Sequence, residues 1–247
     1  MHQLGQTRST TQATHSLHTP DAFVRTTLPG MERAAAVVHA SPALGAGFLQ
    51  YTAELEVDGR LGPTQHQRFV YVVSGEVVAV VDGQSRVLSP GGYVYLPSAE
   101  PMPTCDLFAP REAKLAVIEK AYQPLSGTPA PGAFIGEEKD ATPQPLGGDA
   151  DLLVRSLLPA DVAFDFAVNT MTYEPGAALA MVEAHVMEHG LMMLEGGGIY
   201  RLGDNWYAVQ AGDFIWMAAY CPQWFGAIGK VPAKYLIYKD WNRSPAL

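Results

Sequence analysis

The sequence predicts an all-β protein that is built from tandem antiparallel barrels. Its 24 Gly and 19 Pro residues fall between short runs of β-branched and aromatic residues rather than between long helical patterns. Such punctuation marks many short strands, which is typical of sandwiches and barrels. The clearest predicted strands cover residues 69–73, 77–81, 93–96, 214–217 and 234–238.

An internal repeat is the second observation behind this prediction. The segment VVSGEVVAVVDGQSRVLSPGGYVYLP aligns with MLEGGGIYRLGDNWYAVQAGDFIWMA at a constant offset of 121 residues. Gly75 then falls on Gly196, and Tyr95 falls on Trp216. Each copy reads as strand, glycine turn, strand, polar hairpin and strand, so the sequence predicts a duplicated β-domain.

The repeat and a shift in composition between its copies set the domain boundaries. The intervening residues are rich in Pro, Gly and Thr, as in QPLSGTPAPG and ATPQPLGG, and lack apolar periodicity. We therefore expect a first barrel over residues 48–120, a linker over 121–150 and a second barrel over 151–247. Residues 1–47 are expected to form an extension that packs on the first barrel.

The charge balance excludes two classes of partner. The formal net charge is -9, and no Lys/Arg cluster runs along any segment, so neither a nucleic acid nor an anionic membrane surface is expected as a partner. The two cysteines, Cys105 and Cys221, lack C-x-x-C spacing, which favours a reduced compartment. With a polar N-terminus and no span of about 20 apolar residues, a cytoplasmic protein is expected.

Four residues of the second copy have the spacing of metal ligands. In the alternating segment 181–185, Glu183 and His185 would share one face of a strand. His189 follows four residues later, and Gln223 comes 27 residues beyond the repeat glycine Gly196. This order matches the cupin pattern, with the ligand types permuted and the spacing kept. The predicted fold is therefore a bicupin, two tandem double-stranded β-helix (jelly-roll) barrels.

The ligand types indicate the class of metal. Two imidazoles with one carboxylate and one amide oxygen suit a divalent ion such as Mn(II) or Fe(II), and the absence of thiolate argues against structural zinc. Four protein ligands leave open positions on an octahedral ion for substrate or water.

Two alternatives to a cupin metal site remain open from the residues alone. The four side chains could be ordinary surface or core polar residues. Alternatively, His185-Val-Met-Glu188-His189 spells H-x-x-E-H, the inverted zincin motif in which two His bind zinc and Glu acts as a base. That motif requires a helix, whereas here Gly190 and an apolar run follow it.

The first copy carries no comparable set of ligands. The positions equivalent to the four residues are Gly62, Thr64, Arg68 and Met102. His66 lies nearby and is expected to be a barrel or interface histidine. We expect metal in the second barrel alone, with the first barrel serving packing and assembly into a homo-oligomer.

The residues also resemble a known family. The stretch EAHVMEHGLMMLEGGGIYRLGDNWYAVQAGDFIWMAAYCPQWFGAIGKVPAKYLIYKDWNR resembles the C-terminal barrel of the (S)-ureidoglycine aminohydrolases, bicupins of purine (allantoin) catabolism. HSLHTPDAFVRTTLPGM resembles that family's opening segment. The resemblance implies hydrolytic release of ammonia from (S)-ureidoglycine to give (S)-ureidoglycolate, with bound Mn(II).

The resemblance also implies roles for individual residues. Glu183, His185, His189 and Gln223 would hold the metal. Tyr200, Tyr235 and Lys239 would contact the substrate. From the chemistry of the reaction, rather than from the resemblance, Glu183 and Lys239 are the candidate catalytic residues. The last predicted strand is compatible with this, because Tyr235 and Lys239 fall on one face of it.

Two rival functions share the same fold. One is another Mn- or Fe-dependent bicupin enzyme, such as an oxalate decarboxylase-like enzyme or a dioxygenase. The other is a non-catalytic cupin that binds a ligand or stores metal. The metal-free first copy favours the second rival, since it indicates that this architecture tolerates the loss of ligands.

Overall fold

The computed structural model of the protein describes residues 6–98 and 105–243 and contains two β-barrels. The strands of the N-terminal extension and first barrel are β1 (Thr10–Thr11), β2 (His15–His18), β3 (Arg25–Thr26), β4 (Glu32–Ala40), β5 (Leu49–Arg60), β6 (Gln67–Ser74), β7 (Val77–Val81), β8 (Gln84–Leu88), β9 (Gly92–Leu96), β10 (Cys105–Phe108) and β11 (Ala113–Lys120). Met102, one of the four first-copy positions, lies outside the described residues.

The linker and the second barrel continue this all-β pattern. Their strands are β12 (Phe134–Glu137), β13 (Gln144–Leu146), β14 (Asp149–Ser156), β15 (Phe166–Tyr173), β16 (His189–Glu195), β17 (Gly197–Leu202), β18 (Asn205–Gln210), β19 (Phe214–Met217), β20 (Gln223–Ala227) and β21 (Ala233–Asp240). Short 3-10 turns lie at Pro20–Ala22, Pro42–Leu44 and Glu138–Asp140. Among the described residues, no helix is long and apolar enough to cross a membrane.

The five clearest predicted strands are confirmed, and the strands pair to give two similar barrels. The first barrel is a curled ten-stranded sheet with the order β12-β9-β6-β11-β5-β10-β7-β8, to which β4 and β3 add beside β5. In the second barrel, the sheet β1-β2-β19-β16-β21-β15-β14-β13 is accompanied by the three-stranded sheet β18-β17-β20. Each barrel encloses its own cluster of buried apolar side chains.

The repeat glycines stand where the backbone requires them. Gly75 and Gly196 have φ of +79° and +61°, a region that glycine adopts without steric cost. A Cβ on Gly75 would meet the carbonyl oxygen of Glu112 at 2.1 Å, and a Cβ on Gly196 would meet that of Pro232 at 2.3 Å. The repeat is thus visible in the sequence because both copies need the same close backbone approach.

The N-terminal extension divides between the two barrels, although we expected it on the first barrel alone. Strand β4 pairs with β5 of the first barrel, whereas β2 pairs with β19 of the second, with Ser16 opposite Trp216. The physical reason is that β19 would otherwise be an unpaired sheet edge, which the extension covers. The linker is divided in the same way, since β12 pairs with β9 and β13 pairs with β14.

A third apolar cluster lies between the barrels and joins them. It is rich in aromatic rings, among them Phe48, Phe69, Tyr95, Phe166, Trp216 and Tyr238. The rings of Phe48 and Tyr238 stack with centroids 4.0 Å apart. The buried carboxylate of Glu138 reinforces the joint, accepting from Tyr71 of the first barrel at 2.6 Å and from Lys234 of the second at 2.8 Å.

Candidate metal and substrate site

The segment that carries Glu183 and His185 is irregular rather than a strand, so the strand predicted over residues 181–185 is wrong. Its one ladder contact is an isolated bridge, in which Glu183 and Gln223 exchange both backbone hydrogen bonds at 2.8 Å. His185 is held separately, since its carbonyl accepts from the Tyr220 amide at 2.7 Å. The bridge still places Glu183 beside Gln223, another of the four predicted ligands.

The four predicted metal ligands converge on the Nε2 atom of His185. His189 Nε2 lies 3.3 Å from it and Gln223 Nε2 lies 3.1 Å from it. Glu183 Oε2 stands further off, at 3.9 Å. In the part of the chain that the structure describes, no three His, Cys, Asp or Glu form a compact metal-type cluster. The compact set is His185, His189 and Gln223, with the Glu183 carboxylate beside it.

His189 is fixed as a neutral imidazole that directs Nε2 toward His185. It begins β16 and is buried, and its Nδ1 lies 3.1 Å from the carbonyl oxygen of Tyr238. Because a carbonyl only accepts, Nδ1 carries the proton and Nε2 carries the lone pair. Burial, aided by the neighbouring His185, lowers the pKa of His189 to about 3, so the ring stays neutral near pH 7.

One cavity gathers all seven side chains that the sequence singled out. It has a volume of about 200 Å³ and lies inside the second barrel. Its polar wall includes Glu183, His185, His189, Tyr200, Gln223, Tyr235 and Lys239. Its apolar wall is made by Leu146, Val154, Met171, Leu179, Met187 and Ile237. An apolar pocket with a few convergent polar groups is the usual form of a small-ligand site.

The two tyrosines of the cavity are engaged and protonated. The Tyr200 hydroxyl donates to Gln223 Oε1 at 3.0 Å, and the Tyr235 hydroxyl lies 2.7 Å from that of Tyr173. Burial raises the pKa of both Tyr200 and Tyr235 well above the ordinary value. Tyr200 therefore orients the Gln223 amide directly, a contact that sequence spacing does not reveal.

Lys239 places a cation at the wall of the cavity. It lies opposite His189 in the ladder between β16 and β21, and its Nζ stands 4.7 Å from the centroid of the Trp241 ring. Burial lowers the pKa of Lys239, and the charge of Glu183 partly opposes this shift. With its amide in the swapped orientation, Asn169 accepts from Lys239 Nζ at 3.2 Å.

Sequence reasoning missed Asn169 and gave Glu188 a role only in the inverted zincin alternative. Asn169 is a buried polar residue within the apolar strand β15, and that placement was the available signal. Residues 185–189 form no helix, so the inverted zincin alternative is wrong. Glu188 turns away from the histidines and accepts hydrogen bonds from Trp216 Nε1 and the Gly47 amide. His66 is exposed and does not lie inside the first barrel.

Comparison with known proteins identifies the family. A model described as a cupin domain matches residues 169–238, and a model described as an EutQ-like cupin domain matches residues 50–122. The chain is 39% identical to (S)-ureidoglycine aminohydrolase of Arabidopsis thaliana, over 98% of this chain and 80% of that protein. The chain belongs to the (S)-ureidoglycine aminohydrolase family.

One further relative and one solved structure support this family assignment. The (S)-ureidoglycine aminohydrolase of Escherichia coli K12 is 33% identical over 92% of this chain and 88% of that protein. A crystal structure of a putative glyoxylate induced protein from Pseudomonas aeruginosa superposes with a TM-score of 0.89 at 31% identity, covering 100% of this chain and 95% of that one. The family's bicupin architecture is therefore confirmed for this chain.

Proposed function

We propose that this protein is a metal-dependent hydrolase that releases ammonia from (S)-ureidoglycine and forms (S)-ureidoglycolate in purine (allantoin) catabolism. The observation that carries the proposal is that all seven residues implied by the resemblance line one cavity, of about 200 Å³. Relatives named for this activity align over nearly the whole chain, which supports the same substrate.

The side chains of the cavity fit a divalent ion, and we propose Mn(II). The imidazole nitrogens of His185 and His189 face each other at 3.3 Å, an approach that needs a proton or a cation to stabilise it. Among the described residues, the buried His185 Nδ1 has no hydrogen-bond partner, so contacts at Nε2 set the direction of this ring. Glu183 and Gln223 would complete the ligand set, with Gln223 ligating through its oxygen once the amide is reversed.

A bound Mn(II) would polarise the groups on the reacting carbon and activate water beside it. The chain itself orients the substrate. The ammonium of Lys239 is suited to pair with the substrate carboxylate, and the protonated hydroxyls of Tyr200 and Tyr235 are suited to bond its ureido group. Because these groups lie on fixed strands, they present one face of the central carbon to water, which accounts for stereospecificity.

Glu183 is the proposed proton carrier. Hydrolysis removes a proton from water and delivers one to the departing amine, and a carboxylate at the edge of the cavity serves both steps. The Glu183 side chain is 39% exposed, so it also reaches solvent. We expect Glu183→Gln to lower ammonia release by at least about 10³-fold. Wild-type turnover in a metal-loaded Glu183→Gln protein would rule out this role.

The direct test is an ammonia-release assay on freshly generated (S)-ureidoglycine, with Mn(II) and with a chelator. Manganese-dependent ammonia with (S)-ureidoglycolate as the product is expected. Release of carbon dioxide or consumption of oxygen with candidate acids, and no ammonia, would instead identify another bicupin enzyme. Binding without turnover would identify a non-catalytic cupin. Homo-oligomer formation and a cytoplasmic location stay predictions from the sequence.

A further inference from the structure

Glu188 is a buried carboxylate for which the proposed reaction has no use. It lies in the irregular segment between His185 and His189 and is 8% exposed. Its Oε1 accepts from Trp216 Nε1 at 2.6 Å, and its Oε2 accepts from the Gly47 amide at 2.9 Å. Gly47 precedes β5 of the first barrel, so this contact, which we name the Glu188 latch, joins the two barrels beside the candidate metal ligands.

The first barrel contains the same latch at the equivalent position. The repeat offset places Gln67 on Glu188 and Tyr95 on Trp216. Gln67 Oε1 accepts from the Tyr95 hydroxyl at 3.0 Å, and its Nε2 donates to Asp165 Oδ1 of the second barrel at 2.6 Å. We name this contact the Gln67 latch. Asp165 directly precedes β15, as Gly47 stands just before the equivalent strand β5.

The two latches therefore form a pseudo-twofold pair. In each barrel, a side chain at the start of a strand reaches the other barrel: Gln67 is the first residue of β6, and Glu188 comes immediately before β16. Each also accepts a hydrogen bond from an aromatic side chain on the neighbouring strand. The residue next along the chain differs between them. Gln67 precedes Arg68, whereas Glu188 precedes His189, whose Nε2 faces His185. Only the Glu188 latch lies between two of the candidate ligands.

We infer that Glu188 is a positioning residue, through which the first barrel holds His185 and His189 in place for the metal. This inference rests on the proposed function. Residues 184 to 188 lie in no strand of the described structure, and two backbone hydrogen bonds hold the segment, from the Tyr220 amide to the His185 carbonyl at 2.7 Å and from the Asp240 amide to the Glu188 carbonyl at 3.3 Å. The Glu188 side chain adds the contact that ties this segment to the first barrel. Gly47 allows the approach, because a Cβ there would stand only 3.0 Å from Glu188 Oε2. Groups that orient metal ligands indirectly typically contribute a factor of about 10 to 100 in metal affinity.

The test compares Glu188→Ala with the matched control Gln67→Ala in the full-length protein. Mn(II) affinity is measured by titration calorimetry, and amide hydrogen exchange of residues 183–189 is measured without metal. Glu188→Ala is expected to weaken Mn(II) binding by about 10- to 100-fold and to speed exchange in that segment. Gln67→Ala also removes an interbarrel contact, but its Mn(II) affinity and its exchange rates in residues 183–189 are expected to stay within about twofold of wild type.

Two milder variants keep the test decisive if Glu188→Ala folds poorly. Trp216→Phe removes the indole N–H together with the five-membered ring that carries it, keeps an aromatic ring in the apolar cluster, and should weaken Mn(II) binding by about 3- to 10-fold. Glu188→Gln keeps one acceptor oxygen but turns an NH₂ group toward a donor, so its effect should lie between those of Trp216→Phe and Glu188→Ala.

Unchanged affinity and exchange in Trp216→Phe and Glu188→Gln would overturn the inference, as would an equal loss in Gln67→Ala. The exchange measurement needs neither substrate nor metal. If the wild-type protein releases no ammonia, the proposed function fails, while the exchange comparison still decides whether Glu188 orders the histidine segment.

Discussion

In the first barrel, Arg68 on β6 lies opposite Glu119 on β11, whereas in the second barrel His189 on β16 lies opposite Lys239 on β21. Arg68 and His189 are related by the repeat offset, and Glu119 and Lys239 are the residues paired with them in the two ladders. The Arg68 guanidinium lies 2.7 Å from the Glu119 carboxylate, which also accepts from Tyr51 and Thr64 at 2.9 Å each. The first barrel thus closes its interior with a neutral, fully bonded ion pair.

In the second barrel, the two residues paired across the corresponding ladder are His189 and Lys239, which do not neutralise each other. His189 offers a lone pair and Lys239 offers a positive charge, and both face the cavity of about 200 Å³. The two barrels therefore have the same architecture but different interiors. The polar groups inside the first barrel pair with each other, whereas His189 and Lys239 inside the second are available to bind a ligand. Arg68 of the first barrel occupies the position of His189, a candidate metal ligand. Glu119 occupies the ladder position of Lys239, which is a candidate for binding an anion.

The largest effect is expected from transferring the ion pair of the first barrel into the second. In His189→Arg with Lys239→Glu, the new charges are opposite across the ladder and neutralise each other, so the chain should still fold. Mn(II) binding should be lost, and ammonia release should fall by about 10⁴-fold or more. Calorimetry and the ammonia assay measure this, with thermal melting as the control for folding. Retained Mn(II) binding would contradict the comparison.

The converse change in the first barrel should alter stability and leave function intact. Arg68→Met leaves the Glu119 carboxylate, whose side chain is 9% exposed, without its ion-pair partner. Breaking one side of a buried pair typically costs about 3–5 kcal/mol, whereas replacing both partners by apolar groups is often neutral. We expect Arg68→Met to lower the free energy of unfolding in urea by that amount and Arg68→Met with Glu119→Leu to recover most of it.

Mn(II) affinity should be unchanged in both first-barrel variants. A drop in Mn(II) affinity in the stable double variant would show that the first-barrel ion pair acts on the metal site.

Acid should weaken the N-terminal half through His39. This residue is buried, with its Nδ1 3.0 Å from that of His18 and its Nε2 2.8 Å from the Thr52 hydroxyl. Burial, with His18 beside it, lowers the pKa of His39 to about 3. Since the unfolded value is about 6.5, the unfolded chain binds the extra proton between these pH values. The contribution of His39 to the free energy of unfolding is therefore fully present above about pH 6.5 and is lost as the pH falls toward 3.

The expected slope is up to about 1.4 kcal/mol per pH unit for this one group. Urea unfolding of wild type and His39→Gln at a series of pH values measures it, and the variant should show a shallower decline. Identical slopes for the two proteins would contradict the assignment to His39.

The smallest effect is expected from Tyr200→Phe. The variant removes the hydroxyl that lies 3.0 Å from the Gln223 amide, a contact in which the hydroxyl becomes the acceptor when the amide is reversed, and it keeps the ring in the core of the second barrel. Losing one such bond typically costs about 1 kcal/mol, so we expect a decrease in kcat/KM of about 5- to 10-fold. Tyr51→Phe, which removes a buried hydroxyl that donates to Glu119 inside the first barrel, should leave kcat/KM unchanged. Equal losses in both variants would contradict the difference between the barrels.

The sequence predicted the features that depend on local pattern. Runs such as 77–81 and 214–217 are strands because β-branched and aromatic residues alternate between glycine turns, and Gly75 and Gly196 mark the same close approach in both copies. The seven site residues were found through spacing and family resemblance, and they do line one cavity. Their chemical roles stay predictions.

The features that sequence reasoning missed depend on contacts between distant segments. Segment 181–185 alternates like a strand but bonds to Gln223 at one point only, so no ladder forms. Strand β2 joins the second barrel because an edge strand was available, which no local pattern records. The partners of Glu188 lie at Gly47 and Trp216, far from it along the chain.

The central claim is that one barrel binds metal and the other is closed by its own ion pair. Counting the Mn(II) ions bound per chain, by titration of the metal-free protein, tests this most directly. We predict one ion per chain in the wild type, none in His189→Arg with Lys239→Glu, and one in Arg68→Met with Glu119→Leu. Two ions per chain, or one that persists after the His189 and Lys239 replacements, would contradict it.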